Sequence, residues 1–547
     1  MRVSDHSLRQ LDEGYLGTLS REALEDLSGR LVADLKDARD RLGAGPQNSS
    51  RPPSSRPAWE KGVGPGGQTA LAVGITQALD PGATAEPAPA NPSVAQPTAE
   101  SPGQSTESSS SAPSSEPSPS AALGGRKAEV PRRPGKQPGA AGVGRTQVLT
   151  AHHTEPHRPE VCGGCGQVLA AGLPEQMVNG YQEVDLLFGD PAVLGMVLRV
   201  TAHRWFEVHC PCGHHTRSTV ASWVAEPGVS DLELSAWRLV GPGLATLIVA
   251  LAMRFRMSRA RIAEFLDAWM GLRLSIGTIH QTLHEAAAVV APAEAELVAA
   301  VLASDVLHAD ETPWPEQGRI LWLWVFCSTT VVLYYIAHRG RELLNNLLPD
   351  FAGWLMSDGW TAYRVWPRRL RCWPHLIRKA KGLNDSCERT AQAFGAEVLG
   401  VFERLIRGIH AARDGPLQPP ASIAETHADD LRILREACVR QQSSPHAKTR
   451  ALAVELLNDW VAIFQVLSYP TLPISNNDAE RILRHWVILR QLCHGTRTEQ
   501  GSRYFALLAS VIDTCRLRQH SPWLYLRDAI TQRRSGKALP ALPAVPA

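Results

Sequence analysis

From Gly45 to about Gly144 the chain is dominated by Pro, Ser, Ala and Gly, with a Ser-rich centre at Ser108 to Ser111. So few large apolar side chains cannot bury enough surface to offset the entropy of ordering the backbone. The segment therefore reads as a disordered linker, and any folded core must lie on either side of it. Its end is basic, with Arg126, Lys127, Arg132, Arg133 and Lys136. That end reads as a solvated tail, with contact to a nucleic-acid backbone as the alternative. The rest of the 547-residue chain still exceeds one ordinary domain; at ~150 residues per unit, the whole length suggests roughly three or four units.

Residues 1–44 carry one helical pattern. Leu24, Leu27, Leu31, Leu35, Ala38 and Leu42 recur at three- and four-residue steps, with Ser20 as an N-cap and Gly43 after the end. The stripe suits the seam of a short coiled coil, or equally a helix packed on its own domain. After the linker, taken as 45–149, a Cys/His-rich module occupies 150–225 and a helical region 226–300. Residues 301–535 begin as strands, turn helical over 386–468 and continue as further helices from 475. Residues 536–547 form a Pro/Ala tail. The fold class expected is multidomain α/β.

Lys+Arg number 56 against 54 Asp+Glu, a net charge of only +2. The global balance thus reveals no partner; only local clustering can. The opening Met1-Arg2-Val3-Ser4-Asp5-His6 is polar and does not read as a signal peptide. Six of the ten cysteines are scattered singly, which suits a reducing cytoplasm. Ile320 to Ala337 runs 18 residues without a charge, nominally membrane length. Its Val, Tyr, Trp and Thr content and the Ser328-Thr329-Thr330 interruption favour two buried strands joined by a turn, so no membrane span is expected.

Cys162-Gly163-Gly164-Cys165-Gly166 is followed by Cys210-Pro211-Cys212-Gly213. Two tight turns ending in glycine can bring four thiolates onto one ion, the pattern of a structural zinc site. His209, His214 and His215 are alternative ligands. Further on, Arg254, Arg256, Arg259 and Arg261 precede Ile262 to Met270; Gly271 marks a turn, and Ser275 can cap the next helix, Ile276 to Leu283. Two short helices about a glycine turn resemble a helix-turn-helix, with the arginines as phosphate anchors.

Three acidic segments lie far apart: His308-Ala309-Asp310-Glu311-Thr312, Ser357-Asp358-Gly359-Trp360 and Asn476-Asn477-Asp478-Ala479-Glu480-Arg481. Val306 to Asp310 and Trp354 to Asp358 each read as a strand ending in an acid, and Glu480 as lying near the start of a helix. Brought together, Asp310, Asp358 and Glu480 can hold two Mg2+ (or Mn2+) ions, which need carboxylate oxygens and little else from a protein. Each acid by itself also suits a turn or a helix start. Beside them the run Arg364 to Lys381 contains Arg364, Arg368, Arg369, Arg371, Arg378, Lys379 and Lys381 and no acid, interleaved with Trp366, Trp373 and His375. Arg481 and Arg484 continue the positive charge after Glu480. These runs are expected to grip a nucleic-acid backbone.

The same segments resemble the DDE transposases of the insertion sequence 66 family. The resemblance runs from about 45 to 530. It includes Asn48 to Ser54, Pro134 to Gly139, the cysteine knuckles, the three acidic segments and Cys372-Trp373-Pro374-His375-Leu376. The resemblance implies an RNase H-like catalytic core over 301–535, with a helical insertion at 386–468. That insertion explains why Asp310 and Asp358 are 48 residues apart, while Asp358 and Glu480 are 122 apart. It further implies that Asp310, Asp358 and Glu480 form the metal-binding triad, that Asp310 rather than Glu311 binds metal, and that terminal inverted repeats are the substrate. A homo-oligomer, small accessory proteins of the same element and a cytoplasmic, nucleoid-associated location follow from it. A zinc-bearing DNA binder without catalysis, or a structure-selective nuclease of the same fold, is the competing reading.

Overall fold

The computed structural model describes residues 13–42, 147–190, 192, 195–219, 222–224, 233–235, 238–415 and 423–546. The low-complexity linker, its basic end and the motifs at Asn48 and Pro134 lie outside the described residues.

Helix α1, Arg21–Leu42, starts where expected: the Ser20 hydroxyl accepts from the Ala23 N–H at 3.3 Å. It packs on its own chain. Lys36 pairs with Glu388 at 2.8 Å, and Asp40 accepts from the Ser386 hydroxyl at 2.7 Å and the Cys387 N–H at 3.1 Å. Leu27 is buried, but Leu24 and Leu35 are exposed. The apolar stripe is thus only partly covered by the rest of the chain.

The cysteine-bearing module is a small sheet of β1 (His153–His157), β2 (Glu175–Phe188), β3 (Met196–His209) and β4 (His215–Arg217). Central β3 runs parallel to β1 and antiparallel to β2 and β4. Val184 and Leu186 of β2 and Val200 of β3 turn into the core. Asp185 of β2 accepts from the Gly243 and Leu244 N–H groups at 2.8 and 3.1 Å. It thereby caps helix α2, Pro242–Met253, and fixes the module to the helical region.

That region continues with α3 (Arg259–Met270), α4 (Ile276–Val290) and α5 (Ala293–Leu302). Helix α3 begins earlier than the sequence pattern suggests, because Ser258 caps it by accepting from the Arg261 N–H. Arg259 and Arg261 therefore lie in its first turn. Gly271 closes α3, and Ser275 caps α4, as expected.

The central sheet has the strand order β9-β8-β5-β6-β7. Its members are β5 (Val306–Glu316), β6 (Arg319–Cys327), β7 (Val332–Ala337), β8 (Trp354–Ser357) and β9 (Arg369–Arg371). Strands β5, β6 and β7 form an antiparallel meander. The charge-free stretch Ile320 to Ala337 is thus strand β6, a turn and strand β7. No helix among the described residues is long and apolar enough to cross a membrane. Strands β8 and β9 run parallel to β5. Helix α6 (Arg341–Leu347) lies between β7 and β8; after α7 (Trp373–Asn384) come α8 (Arg389–Arg413), α9 (Ala428–Gln441) and α10 (Ala447–Asn458), then α11 (Asn477–Cys493), α12 (Glu499–Leu517) and α13 (Pro522–Arg534).

Two hydrophobic cores result. One joins β2 and β3 to α2–α5, β5–β7 and α11–α13. The other joins the β8–β9 edge to α7–α10. The inserted helices thus carry a core of their own and close over one edge of the sheet.

Candidate active site and metal centres

Strand β5 outruns its parallel neighbour β8. Met356 pairs with His308, so continuing the register by two residues sets Asp358, just past the end of β8, level with Asp310. Side chains two apart on a strand share a face. His308 and Thr312 both meet the segment that opens or forms α11, through Asn476 and through Arg490, whose guanidinium donates to the Thr312 hydroxyl at 2.6 Å. Asp310 lies between them on that face, toward the helix bearing Glu480 in its first turn. Burial, then the charges of Glu311 and Asp358 and, more weakly, Glu480, push the Asp310 carboxyl well above its ordinary range. Asp310 thus feels the charges of both Asp358 and Glu480.

Glu311 occupies the opposite face of β5 and is already satisfied. It accepts from the Tyr363 hydroxyl at 2.7 Å and from Arg339 at 2.7 Å. The Arg339 guanidinium is itself held over the rings of Trp322 and Trp360. Among the described residues, Asp310 accepts only the backbone N–H of Glu311, at 2.9 Å.

One residue named in the sequence motif but given no role ties the site together. Asn476, 1% exposed, donates its amide to the Ala309 carbonyl at 2.9 Å. Its Oδ1 lies 3.1 Å from His308 Nδ1, which donates to it once the amide is so oriented. Its backbone N–H donates to Cys372 Sγ at 3.3 Å. The strand before Asp310, the start of α7 and the start of α11 are thereby tied to one residue, through its side chain and its backbone. An uncharged residue beside three acids gives little sequence signal of such a role.

His375 turns toward the same place. Its Nδ1 lies 3.8 Å from Glu480 Oε1, and both atoms are buried without a hydrogen-bond partner among the described residues. Burial lowers His375 below the ordinary histidine value despite the attraction of Glu480.

The four knuckle cysteines also converge. The ligand atoms of Cys162, Cys165, Cys210 and Cys212 all lie within 4.8 Å of one another. Cys162 and Cys212, and Cys165 and Cys210, approach to 3.7 Å. Gly166 and Gly213 take φ of 73° and 90°, the left-handed turn that lets each knuckle fold back. The Cys165 N–H leads in pulling the Cys162 thiol down to about 6, whereas the neighbouring thiols and burial hold Cys165 and Cys210 up. His209 and His215 stack on each other and group with Glu207 instead.

The basic run beside Asp358 differs from its sequence reading. Arg369 and Arg371 are 7% and 1% exposed. Asp459 accepts from Arg364 at 3.0 Å, from Arg369 at 2.7 Å and from Arg371. Glu455 pairs with Arg371 at 2.6 Å and with Lys379 at 2.7 Å. Arg369, Arg371 and Lys379 are therefore committed to acids supplied by the inserted helices, and the two arginines cannot present themselves to a phosphate from inside the core. Arg254 and Arg256 are corrected likewise. Arg254 approaches Asp513 at 3.7 Å, and Arg256 lies 2.8 Å from His485 Nδ1, so both brace α2 against α11 and α12. Arg261, Arg368, Arg481 and Arg484 remain exposed. Arg259 also keeps exposed surface, while Arg378 is half-buried.

The chain is thus a mixed α/β protein with acids gathered beside the middle strand of its central sheet and a separate cluster of four thiols. Residues 238–504 match the family described as Transposase IS66 family, so that segment of the chain is similar to this family. Two curated relatives come from Sinorhizobium fredii (strain NBRC 101917 / NGR234). "Uncharacterized protein y4qI" is 26% identical, covering 42% of this chain and 48% of its own length. "Uncharacterized protein y4jD" is 25% identical, covering 58% and 68%. The chain therefore spans about half the length of the first relative. The matched segment contains all three acids, and the four-cysteine module precedes it.

Proposed function

We propose that this protein is a DDE-type transposase that binds the terminal inverted repeats of its own insertion sequence, cleaves DNA there and transfers the freed strand. The observation that carries the reading is the approach of Asp310, Asp358 and Glu480, three acids from distant parts of the chain. Without a counter-charge, carboxylates gathered at one site repel one another. A divalent cation would relieve that repulsion and occupy the unpartnered Glu480 oxygen, so the donor set suits Mg2+ or Mn2+.

Asp310, Asp358 and Glu480 would hold the two ions. When bound, such ions supply a nucleophile at neutral pH and stabilise charge on the attacking and leaving oxygens. Asn476 keeps the acid-bearing elements in register. Arg481 and Arg484, exposed one and four residues after Glu480, would hold the DNA backbone, with Arg368 near the sheet edge. In this reading the mixed sheet with its helical insertion is an RNase H-like core, α3 and α4 are a helix-turn-helix presenting Arg261, and the four thiols bind a structural Zn2+. Pairing two ends of an element would call for at least two protomers.

The test is a nicking assay on DNA carrying the element's own ends. Wild type should cut in Mg2+ or Mn2+, and Asp310→Asn should bind the same DNA without cutting. Cutting by Asp310→Asn would sink the triad assignment. Binding without cutting by wild type in either metal would favour a non-catalytic DNA binder.

A further inference from the structure

We propose that Cys372, His375 and Glu480 form a binding site for one thiophilic divalent cation of the zinc class, distinct from the four-cysteine cluster and sharing Glu480 with the acid cluster. The ligand atoms of the three residues lie within 4.8 Å of one another. Zinc-to-ligand bonds of ~2.0–2.3 Å at tetrahedral angles put neighbouring ligands about 3.3–3.8 Å apart. The His375 Nδ1 to Glu480 Oε1 distance of 3.8 Å is too long for a hydrogen bond but close to that spacing. One sulphur, one imidazole nitrogen and one carboxylate oxygen is a donor set that favours borderline-soft ions over magnesium.

The orphaned atoms argue for a ligand. Buried polar atoms are nearly always hydrogen-bonded, since leaving them unpaired carries a desolvation cost. Here two, His375 Nδ1 and Glu480 Oε1, are shielded and unpartnered on facing elements. A cation between them would satisfy both.

The local fold makes the site rigid. Cys372 is the N-cap of α7, and His375 lies three residues on in its first turn, a spacing that sets two side chains on one side of a helix start. Trp373 locks that turn by donating its indole N–H to the Ile463 carbonyl at 2.8 Å and its backbone N–H to the Ile474 carbonyl at 2.9 Å. Glu480 arrives from the first turn of α11. The Asn476 N–H already points at Cys372 Sγ, the kind of outer hydrogen bond that orients a metal-bound thiolate. Three protein ligands leave a fourth position open. Only the sharing of Glu480 with a catalytic cluster rests on the proposed function; the cation site itself does not.

The test is a Co2+ titration of the full-length chain without DNA, following the sulphur-to-cobalt charge-transfer absorbance and counting bound equivalents. Two thiolate-bearing sites are expected in wild type, and one in Cys372→Ser. His375→Ala and Glu480→Gln should each weaken the second site by at least about tenfold while leaving the four-cysteine site intact. Circular dichroism would check folding, and should Cys372→Ser not fold, His375→Ala decides. Saturation of wild type at one thiolate-bearing equivalent, or titration of folded Cys372→Ser or His375→Ala indistinguishable from wild type, would overturn the proposal. Because DNA cleavage is not the readout, either result leaves the transposase reading to its own assay.

Discussion

Two arginine-rich stretches flank the acid cluster and look alike in sequence, yet the fold uses them in opposite ways. Arg364 to Lys381 contains no acid of its own, but Glu455 and Asp459 come from the inserted helices to meet Arg364, Arg369, Arg371 and Lys379. Arg481 and Arg484 lie on the exposed side of α11, where, among the described residues, Arg481 pairs only with Asp478 one helical turn away. A run of cations in sequence is therefore not yet a surface. Whether it binds DNA or holds a core together depends on acids that can lie ~80–90 residues away, because long-range packing rather than sequence proximity selects buried ion pairs.

The sharpest way to break this contrast is to remove a member of the buried network. Arg371→Ala leaves Asp459 and Glu455 without a main partner inside the protein and is expected to destabilise it by about 3–5 kcal/mol. Arg484→Ala should stay within ~0.5 kcal/mol of wild type. Urea unfolding of the two variants measures both; equal stabilities would mean that the network contributes nothing.

Asn476→Ala comes next, at about 1–3 kcal/mol, since it strips partners from His308 and from the Ala309 carbonyl. The same unfolding experiment reads it, and a neutral result would remove Asn476 as the tie between the acid-bearing elements.

The network also has a pH signature. Burial works to raise Asp459, but the Arg369 hydrogen bond and the charges of Arg371, Arg369 and Arg364 prevail and hold it below its ordinary value. A carboxylate depressed in the folded state contributes stability that is fully present above its unfolded value of ~3.9 and is lost as pH falls through the folded value. Asp459→Asn should therefore be less stable than wild type at neutral pH, with the gap closing in acid below about pH 4. Thermal melts across that range test the sign; a gap that widened in acid would contradict it.

The smallest effect belongs to the exposed side. Arg484→Ala should lower the slope of log affinity for DNA against log salt by about 1, with stability unchanged. Binding measured at several salt concentrations tests this. An unchanged slope would remove Arg484 from the DNA-contacting surface.

Much of this arrangement was legible in the chain. Ser258 was missed, but the cap at Ser275 and the stop at Gly271 follow from local backbone chemistry and were visible. The β6–β7 pair was readable from its β-branched and aromatic content, and the knuckle spacing announced four converging thiols. The choice between Asp310 and Glu311 was half legible: alternation says that only one faces a given side, but not which. The resemblance favours Asp310, and the structure adds that Tyr363 and Arg339 claim Glu311. Arg254 and Arg256 were misread for the same reason as Arg369 and Arg371, since their partners Asp513 and His485 lie more than 200 residues away.

The sequence by itself determined where structure could form, which segments would be helix or strand, and which thiols and acids had the chemistry for metals. Those properties depend on side-chain type and on neighbours within a few residues. Only the tertiary structure decided which charges are buried and paired, that Asn476 joins three elements, and that Cys372 and His375 face Glu480. These depend on register between strands and on the docking of the inserted helices, where many weak contacts between distant residues act together and no short window of sequence records the outcome.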